Sequence, residues 1–159
     1  MDFYSNPEVI LSMDCRREEL VFYDNKRLGD TVRDIDLTEV TDIYYKGEKN
    51  FARGELLSQR LEKLVKKSGY IHVSNGTSYS VDRGVVVQVK LLHTSLGKLS
   101  KLKSDEVVRR CGEPDDVEED LDPWDAGVVA KIYVYKQLGI QIYVDTETKR
   151  ISEVRVLAG

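Results

Sequence analysis

The sequence predicts an α+β fold, an antiparallel sheet with two main helices on one face. Three observations carry that expectation. Short β-rich runs are punctuated by Asn, Asp and Gly turn signals of the kind hairpins use. Two stretches, residues 54–68 and Ser104–Cys111, place apolar residues at helical spacing. Strands do not alternate strictly with long helices, as a parallel sheet would require.

Residues 9–13 are a short apolar run and residues 19–23 are rich in β-formers, so both are strand candidates. Asp24-Asn25-Lys26-Arg27 supplies a turn, because Asp and Asn tolerate the left-handed region and bond back to the backbone. Residues 31–37 alternate imperfectly around Val32, Ile35 and Leu37 and read as strand or loop. Ile43-Tyr44-Tyr45, followed by Lys46-Gly47, suggests a further short strand. Its adjacent tyrosines would face opposite sides, leaving one of them exposed.

The helix at residues 54–68 carries Leu56, Leu57, Leu61, Leu64 and Val65 on one face, and Arg60, Glu62, Lys63, Lys66 and Lys67 on the other. Glu55 at its start and Lys66-Lys67 at its end suit the helix dipole, and Gly69 is placed to terminate it. Period two then takes over. Residues 70–73 and 78–81 flank Asn75-Gly76, a type I′ dipeptide, and Asp82-Arg83-Gly84 turns into the strand Val85–Leu92. Residues 95–103, polar and basic, read as a loop.

The second helix has Ser104 as its N-cap, Val107 and Val108 as its apolar stripe, acids first and arginines last. Gly112 offers the left-handed terminus and Pro114 blocks continuation. An acidic loop follows. Val128–Tyr135, residues 139–144 and Ile151–Leu157 read as the closing strands, turned by Gln137-Leu138 and Thr146-Glu147-Thr148-Lys149.

At 159 residues the chain is long enough for a single compact domain, or for two small modules sharing one core. The motif of strand, Asp, turn, strand occurs at residues 79–91 and again at 142–157, each time downstream of a helix. A tandem helix-plus-hairpin repeat, divided at about residues 95 and 96, is one reading of these echoes. Chance recurrence in a β-rich chain is the other.

With 41% hydrophobic and 33% charged residues, the composition is that of a soluble globular protein. No apolar run approaches the ~20 residues that cross a bilayer, and the N-terminus lacks a basic, then apolar, secretion signal. A cytoplasmic location is expected. Cys15 and Cys111 belong to no Cys-x-x-Cys pair and read as reduced, mostly buried thiols. The net charge is −4, but the segment from Glu113 to Asp125 holds eight acids and no base, so the remainder sums to +4. One short segment sets the sign of the whole molecule and would repel nucleic acid.

His72 and His93 are the only histidines, and neither has a Cys or acid at motif spacing, so structural roles are expected and no catalytic residue is assigned. Zinc would need local ligand pairs that are missing. The acidic run lacks the glycine and closing glutamate of an EF-hand, and no phosphate-loop or nucleophile-elbow motif occurs. No cofactor is expected. One feature stands apart: Leu121-Asp122-Pro123-Trp124-Asp125 puts the single tryptophan inside the acidic segment. Trp124 is either a contact residue, since Trp buries much area at small entropy cost, or a loop anchor folded onto the sheet.

The run Ser-Asp-Glu-Val-Val-Arg-Arg-Cys-Gly-Glu-Pro with its hairpin strands resembles the small α/β modules of β-lactamase inhibitor proteins and of small outer-membrane assembly lipoproteins. Glu106-Val107, Gly112 and Pro114 carry the match. The phrase Leu138-Gly139-Ile140-Gln141-Ile142-Tyr143-Val144-Asp145 is similar to bacterial immunity-type proteins built on the same unit. Two departures stand out. Leu102-Lys103 replaces the glycine before the helix, and no lipid-attachment signal is present, which argues against an envelope role.

The resemblance implies two modules with helices on one sheet face and the other face open to a partner. Together with the acidic segment it points to a protein-binding module, not an enzyme: an immunity-type inhibitor of a toxin or enzyme. Its expected partner-binding residues are Asp115, Asp116, Glu118, Glu119, Asp120, Asp122, Trp124 and Asp125. A housekeeping or ligand-binding domain, whose acidic segment merely solubilises, is the alternative, with an enzyme as the third reading.

Overall fold

The computed structural model describes residues 1–47, 54–125 and 127–158. One antiparallel eight-stranded sheet organises them, with strands β1 (Val40–Tyr45), β2 (Ser68–Val73), β3 (Thr77–Asp82), β4 (Val85–Leu92), β5 (Asp116–Leu121), β6 (Val128–Tyr135), β7 (Ile140–Asp145) and β8 (Ile151–Leu157). Their spatial order is β1-β2-β3-β4-β8-β7-β6-β5. Two meanders therefore meet where β4 pairs with β8, and β1 and β5 are the outer edges. Helix α1 (Leu57–Leu64) lies between β1 and β2, whereas α2 (Ser104–Cys111) precedes β5.

Strand registry explains which face is buried. Ile43, Ile71, Tyr79, Val89, Val156, Ile140 and Tyr135 are successive cross-strand partners, and every one is buried. Leu61 and Leu64 of α1 and Val107 and Cys111 of α2 belong to the same apolar cluster, so both helices cover this face. Burying each such aliphatic side chain contributes about 2 kcal/mol. One residue along, the adjacent row reads Asp42, His72, Ser78, Lys90, Arg155, Gln141, Val134, Asp116. Period two thus sends a mostly polar row to the face that no helix covers.

The N-terminal strand candidates are corrected. Residues 9–13 and 19–23 contribute instead to 3₁₀ turns at Pro7–Leu11, Arg17–Glu19 and Tyr23–Asn25, with one isolated bridge between Asp2 and Val21. Their apolar residues Ile10, Leu11, Leu20, Val21 and Phe22 are buried, so the pattern signalled burial and not pairing. What replaces a strand ladder is Arg17. Its buried guanidinium donates to the carbonyls of Ile10, Ser12 and Cys15 at 2.6, 3.1 and 3.0 Å. Residues 31–37 are loop, with Val32 and Ile35 buried and a single bridge from Thr31 to Val85.

Helix α1 is shorter than the expected residues 54–68. Gln59 accepts the Leu56 N–H at its start, at 2.9 Å. Its far end is lost to the sheet: Lys46 N–H bonds Ser68 carbonyl at 2.6 Å, and Gly69 pairs with Tyr45. Gly69 is needed there for close approach and not for helix termination. A Cβ at that position would lie 1.9 Å from the Tyr44 carbonyl oxygen.

Asn75-Gly76 is not the type I′ turn expected. Only Gly76 of the pair has positive φ, and its N–H closes onto Val73 carbonyl at 3.0 Å. The two-residue hairpin falls at Arg83-Gly84, both at positive φ, where the tight primed turn requires it. Residues expected to loop after β4 form a 3₁₀ helix, His93–Lys101, kinked at Gly97 and burying Leu96 and Leu99. Lys103, not Ser104, occupies the N-cap of α2, held extended by its bridge to Arg150. Gly112 ends α2 with φ of 81°, as its sequence position suggests.

Candidate functional site

The middle of the acidic segment, Asp116–Leu121, is a strand and not the loop expected, and the loop begins only at Asp122. Asp and Glu are poor β-formers, but β6 offers a β-branched and aromatic ladder on which β5 pairs from Asp116–Val134 onward. Side chains held at an outer edge stay in water, where mutual repulsion is screened. Alternation then divides the acids. Asp116, Glu118 and Asp120 stand beside Val134, Ile132 and Ala130 on the helix-free face, while Val117 and Glu119 stand beside Tyr133 and Lys131 on the other.

Four of the expected contact residues are occupied in shaping this edge, among them Asp116, whose carboxylate accepts the Val117 N–H at 2.9 Å. Asp115 donates its N–H to Val134 carbonyl and accepts the Lys136 N–H with its carboxylate, at 2.8 and 2.7 Å. Asp122 accepts the Trp124 N–H and Asp125 accepts the Gly127 N–H, each at 2.8 Å. These are Asx-type turn bonds, available to short side chains that fold back on the chain. Their carboxylates position the segment, so the freer acids are Glu118, Glu119 and Asp120.

Trp124 is not the loop anchor that one reading of the sequence offered. It is 93% exposed and covers no part of the sheet. Among the described residues, none of the seven carboxylates from Asp115 to Asp125 joins an ion pair, including Glu119 across from Lys131. Beneath the strand, Ala130, Ile132, Val134 and Tyr143 form a small apolar island on the helix-free face. Burial pushes the Tyr143 hydroxyl above its ordinary range; Arg155 opposes this, while Glu153, Asp120 and Glu118 add to it. The Arg155 guanidinium lies 4.7 Å from the centre of that ring.

A second constellation on the same face escaped the sequence reading. Ser78 Oγ lies 2.9 Å from His72 Nδ1, Tyr70 stacks parallel to the imidazole, and Tyr44 meets it edge-on. Tyr44 also donates its hydroxyl to Asp42 at 2.8 Å. The signal was the i, i+2 spacing of Asp42 with Tyr44 and of Tyr70 with His72, which puts each pair on one strand face. Burial pulls the imidazole below its ordinary range; Asp42 resists and Lys90 assists. Ser78 itself is buried, so its hydroxyl is not presented to an electrophile arriving from solvent.

His93 is exposed at φ of 52°, with no part in this cluster. Cys15 and Cys111 are unbonded, and burial pushes both thiols above their ordinary range, partly offset by Arg17. Among the described residues, no group of three His, Cys, Asp or Glu is arranged to hold a metal ion. Alternation along β5 is one reason, since it sends neighbouring carboxylates to opposite faces. No helix among the described residues is long and apolar enough to cross a membrane. No protein-family model matches the chain, and no curated protein or solved structure matches it.

Proposed function

We propose that this chain is a cytoplasmic protein-binding module of the inhibitor or immunity type, which neutralises a toxin or enzyme by docking β5 and the Trp124 turn on a basic surface. One observation carries the reading: a tryptophan that is 93% exposed follows a strand whose acids Asp116, Glu118, Glu119 and Asp120 have no cationic partner among the described residues. Keeping a large apolar ring in water is unfavourable unless a partner desolvates it. Unpaired carboxylates raise encounter rates with a basic surface and disfavour neutral or acidic ones. The ring supplies affinity and the charges supply choice. No chemical step is assigned to the module. The same field turns nucleic-acid phosphates away.

The test is affinity for a partner captured from the source cell, measured for two variants. Trp124→Ala is expected to weaken binding at least about tenfold. Asp116→Asn/Glu118→Gln/Glu119→Gln/Asp120→Asn is expected to slow association and to flatten its dependence on ionic strength. Asp115, Asp122 and Asp125 are left in place because they hold the backbone. Unchanged affinity in both variants would remove this edge from the interface.

A further inference from the structure

The two ends of the sheet are treated differently. At β1 the edge is shut: α1 packs along it, and Arg60 Nε donates to the carbonyl of Ile43 at 2.6 Å. At β5 no strand or helix among the described residues lies beyond the strand. It ends the strand order, it pairs with β6 alone, and five of its six residues are exposed, with Val117 at 47% and Leu121 at 50%. A strand paired on one side presents main-chain N–H and C=O groups on the other, which is a template for another strand; in β5 the Val117 N–H is held by the Asp116 carboxylate at 2.9 Å, a local bond that an incoming strand can replace.

The side chains select what can be added. A second copy is disfavoured, because edge-to-edge pairing would crowd Asp116, Glu118, Glu119 and Asp120 of each chain against the same four of the other. A strand of opposite charge meets no such obstacle. With period two, basic residues at alternate positions would sit beside Asp116, Glu118 and Asp120 on the helix-free face. The intervening residues would lie beside Val117 and Leu121 on the other face, where apolar or β-branched groups cover exposed surface, with one cation suiting Glu119.

We propose that β5 is a strand-addition site, taking as a ninth strand an extended partner segment with lysine or arginine at alternate positions and apolar residues between them. This rests on the reading of β5 as the partner-binding edge and specifies how the partner engages it. Main-chain bonds hold the added strand, charge sets its identity, and Trp124 in the following turn extends the contact past the strand end.

The probe is a synthetic peptide of alternating lysine and valine, blocked at both termini, titrated into the isotope-labelled protein at low ionic strength. Amide shifts should centre on β5, with slowed hydrogen exchange there. Two further peptides carry N-methyl groups at alternate residues, in opposite phase. In a paired strand one phase points its amides at β5 and the other points them at solvent. Losing the facing bonds is expected to weaken binding about tenfold or more, while the opposite phase stays within about twofold.

Equal binding by both phases, or by a block peptide of the same composition, would mean contact through charge alone. That result overturns strand addition and leaves the acidic-edge reading standing. No binding by the parent peptide also overturns it, as does self-association of the unmodified protein at neutral pH in sedimentation velocity. The acidic-edge reading fails separately, through the captured partner's indifference to the Trp124 and carboxamide variants.

Discussion

Arg60 Nε donates to the main-chain carbonyl of Ile43 at 2.6 Å, tying α1 to the outer strand of the sheet. The guanidinium also reaches Glu55 at 3.2 Å and lies 5.2 Å from the ring centre of Tyr45. Its side chain is only 4% exposed. Charge, aromatic face and main chain thus converge on one residue that the sequence assigned to the solvent face of its helix.

Removing this guanidinium should therefore cost much more than an ordinary helix-surface change. Arg60→Met is expected to lose about 2 kcal/mol in urea unfolding, because it leaves a buried strand carbonyl without its donor and Glu55 paired with Lys63 alone. Arg60→Lys should recover little, since an ammonium cannot reproduce the planar fork. A loss below about 0.5 kcal/mol, the level of typical surface sites, would refute the assignment.

Gly69→Ala is expected to destabilise by at least about 3 kcal/mol, since the added carbon would lie 1.9 Å from the Tyr44 carbonyl oxygen and backbone would have to move. Ser68→Ala, one residue earlier in the same strand, is the comparison and should cost less. Equal losses would show that the β1–β2 spacing is soft.

For His72 the sign follows from burial, which lowers its pKa in the folded state below the ordinary 6.5. As pH falls through 6.5, the unfolded chain takes up the proton first, so the stabilisation present above that pH is progressively lost. His72→Phe should flatten the stability profile below 6.5 and leave the region above it parallel to that of the native protein. An unchanged slope would show that the imidazole titrates as if exposed.

Trp124 should report nothing about folding. Because it is 93% exposed, its emission maximum is expected to stay near that of free indole in water on both sides of the unfolding transition. Trp124→Ala should change stability by less than about 0.5 kcal/mol. A blue-shifted native spectrum would mean that the ring packs on protein.

Much of the sheet was legible because hairpins are written locally. Val85–Leu92, Val128–Tyr135, Ile151–Leu157 and Ser104–Cys111 occur with the bounds their sequences suggest. Elements defined by distant partners were harder. Ile10 and Leu11 carry the same apolar signal whether they enter a strand or a 3₁₀ turn, and Arg17, which supports that turn, leaves no periodic trace. The strand at Asp116–Leu121 contradicts its own propensity and exists because β6 lies beside it. At the candidate site, the clustering of Trp124 with the acids was legible, but whether the ring lies on the sheet or in solvent was not. The division of those acids between two faces, and the capture of Asp115, Asp122 and Asp125 by the backbone, required knowing that the segment was a strand.

The place of β8 bears on how the molecule is made. Though last in sequence, it lies between β4 and β7 in the interior of the sheet. During synthesis, β4 leaves the ribosome roughly sixty residues before the strand that covers it, a separation that favours slow closure. Until β8 arrives, β4 and β7 each offer an apolar flank with nothing beside it, the kind of nascent species chaperones engage. Ribosome-bound chains stalled before Ile151 should remain protease-sensitive throughout, including the first meander, even though all four of its strands have already emerged.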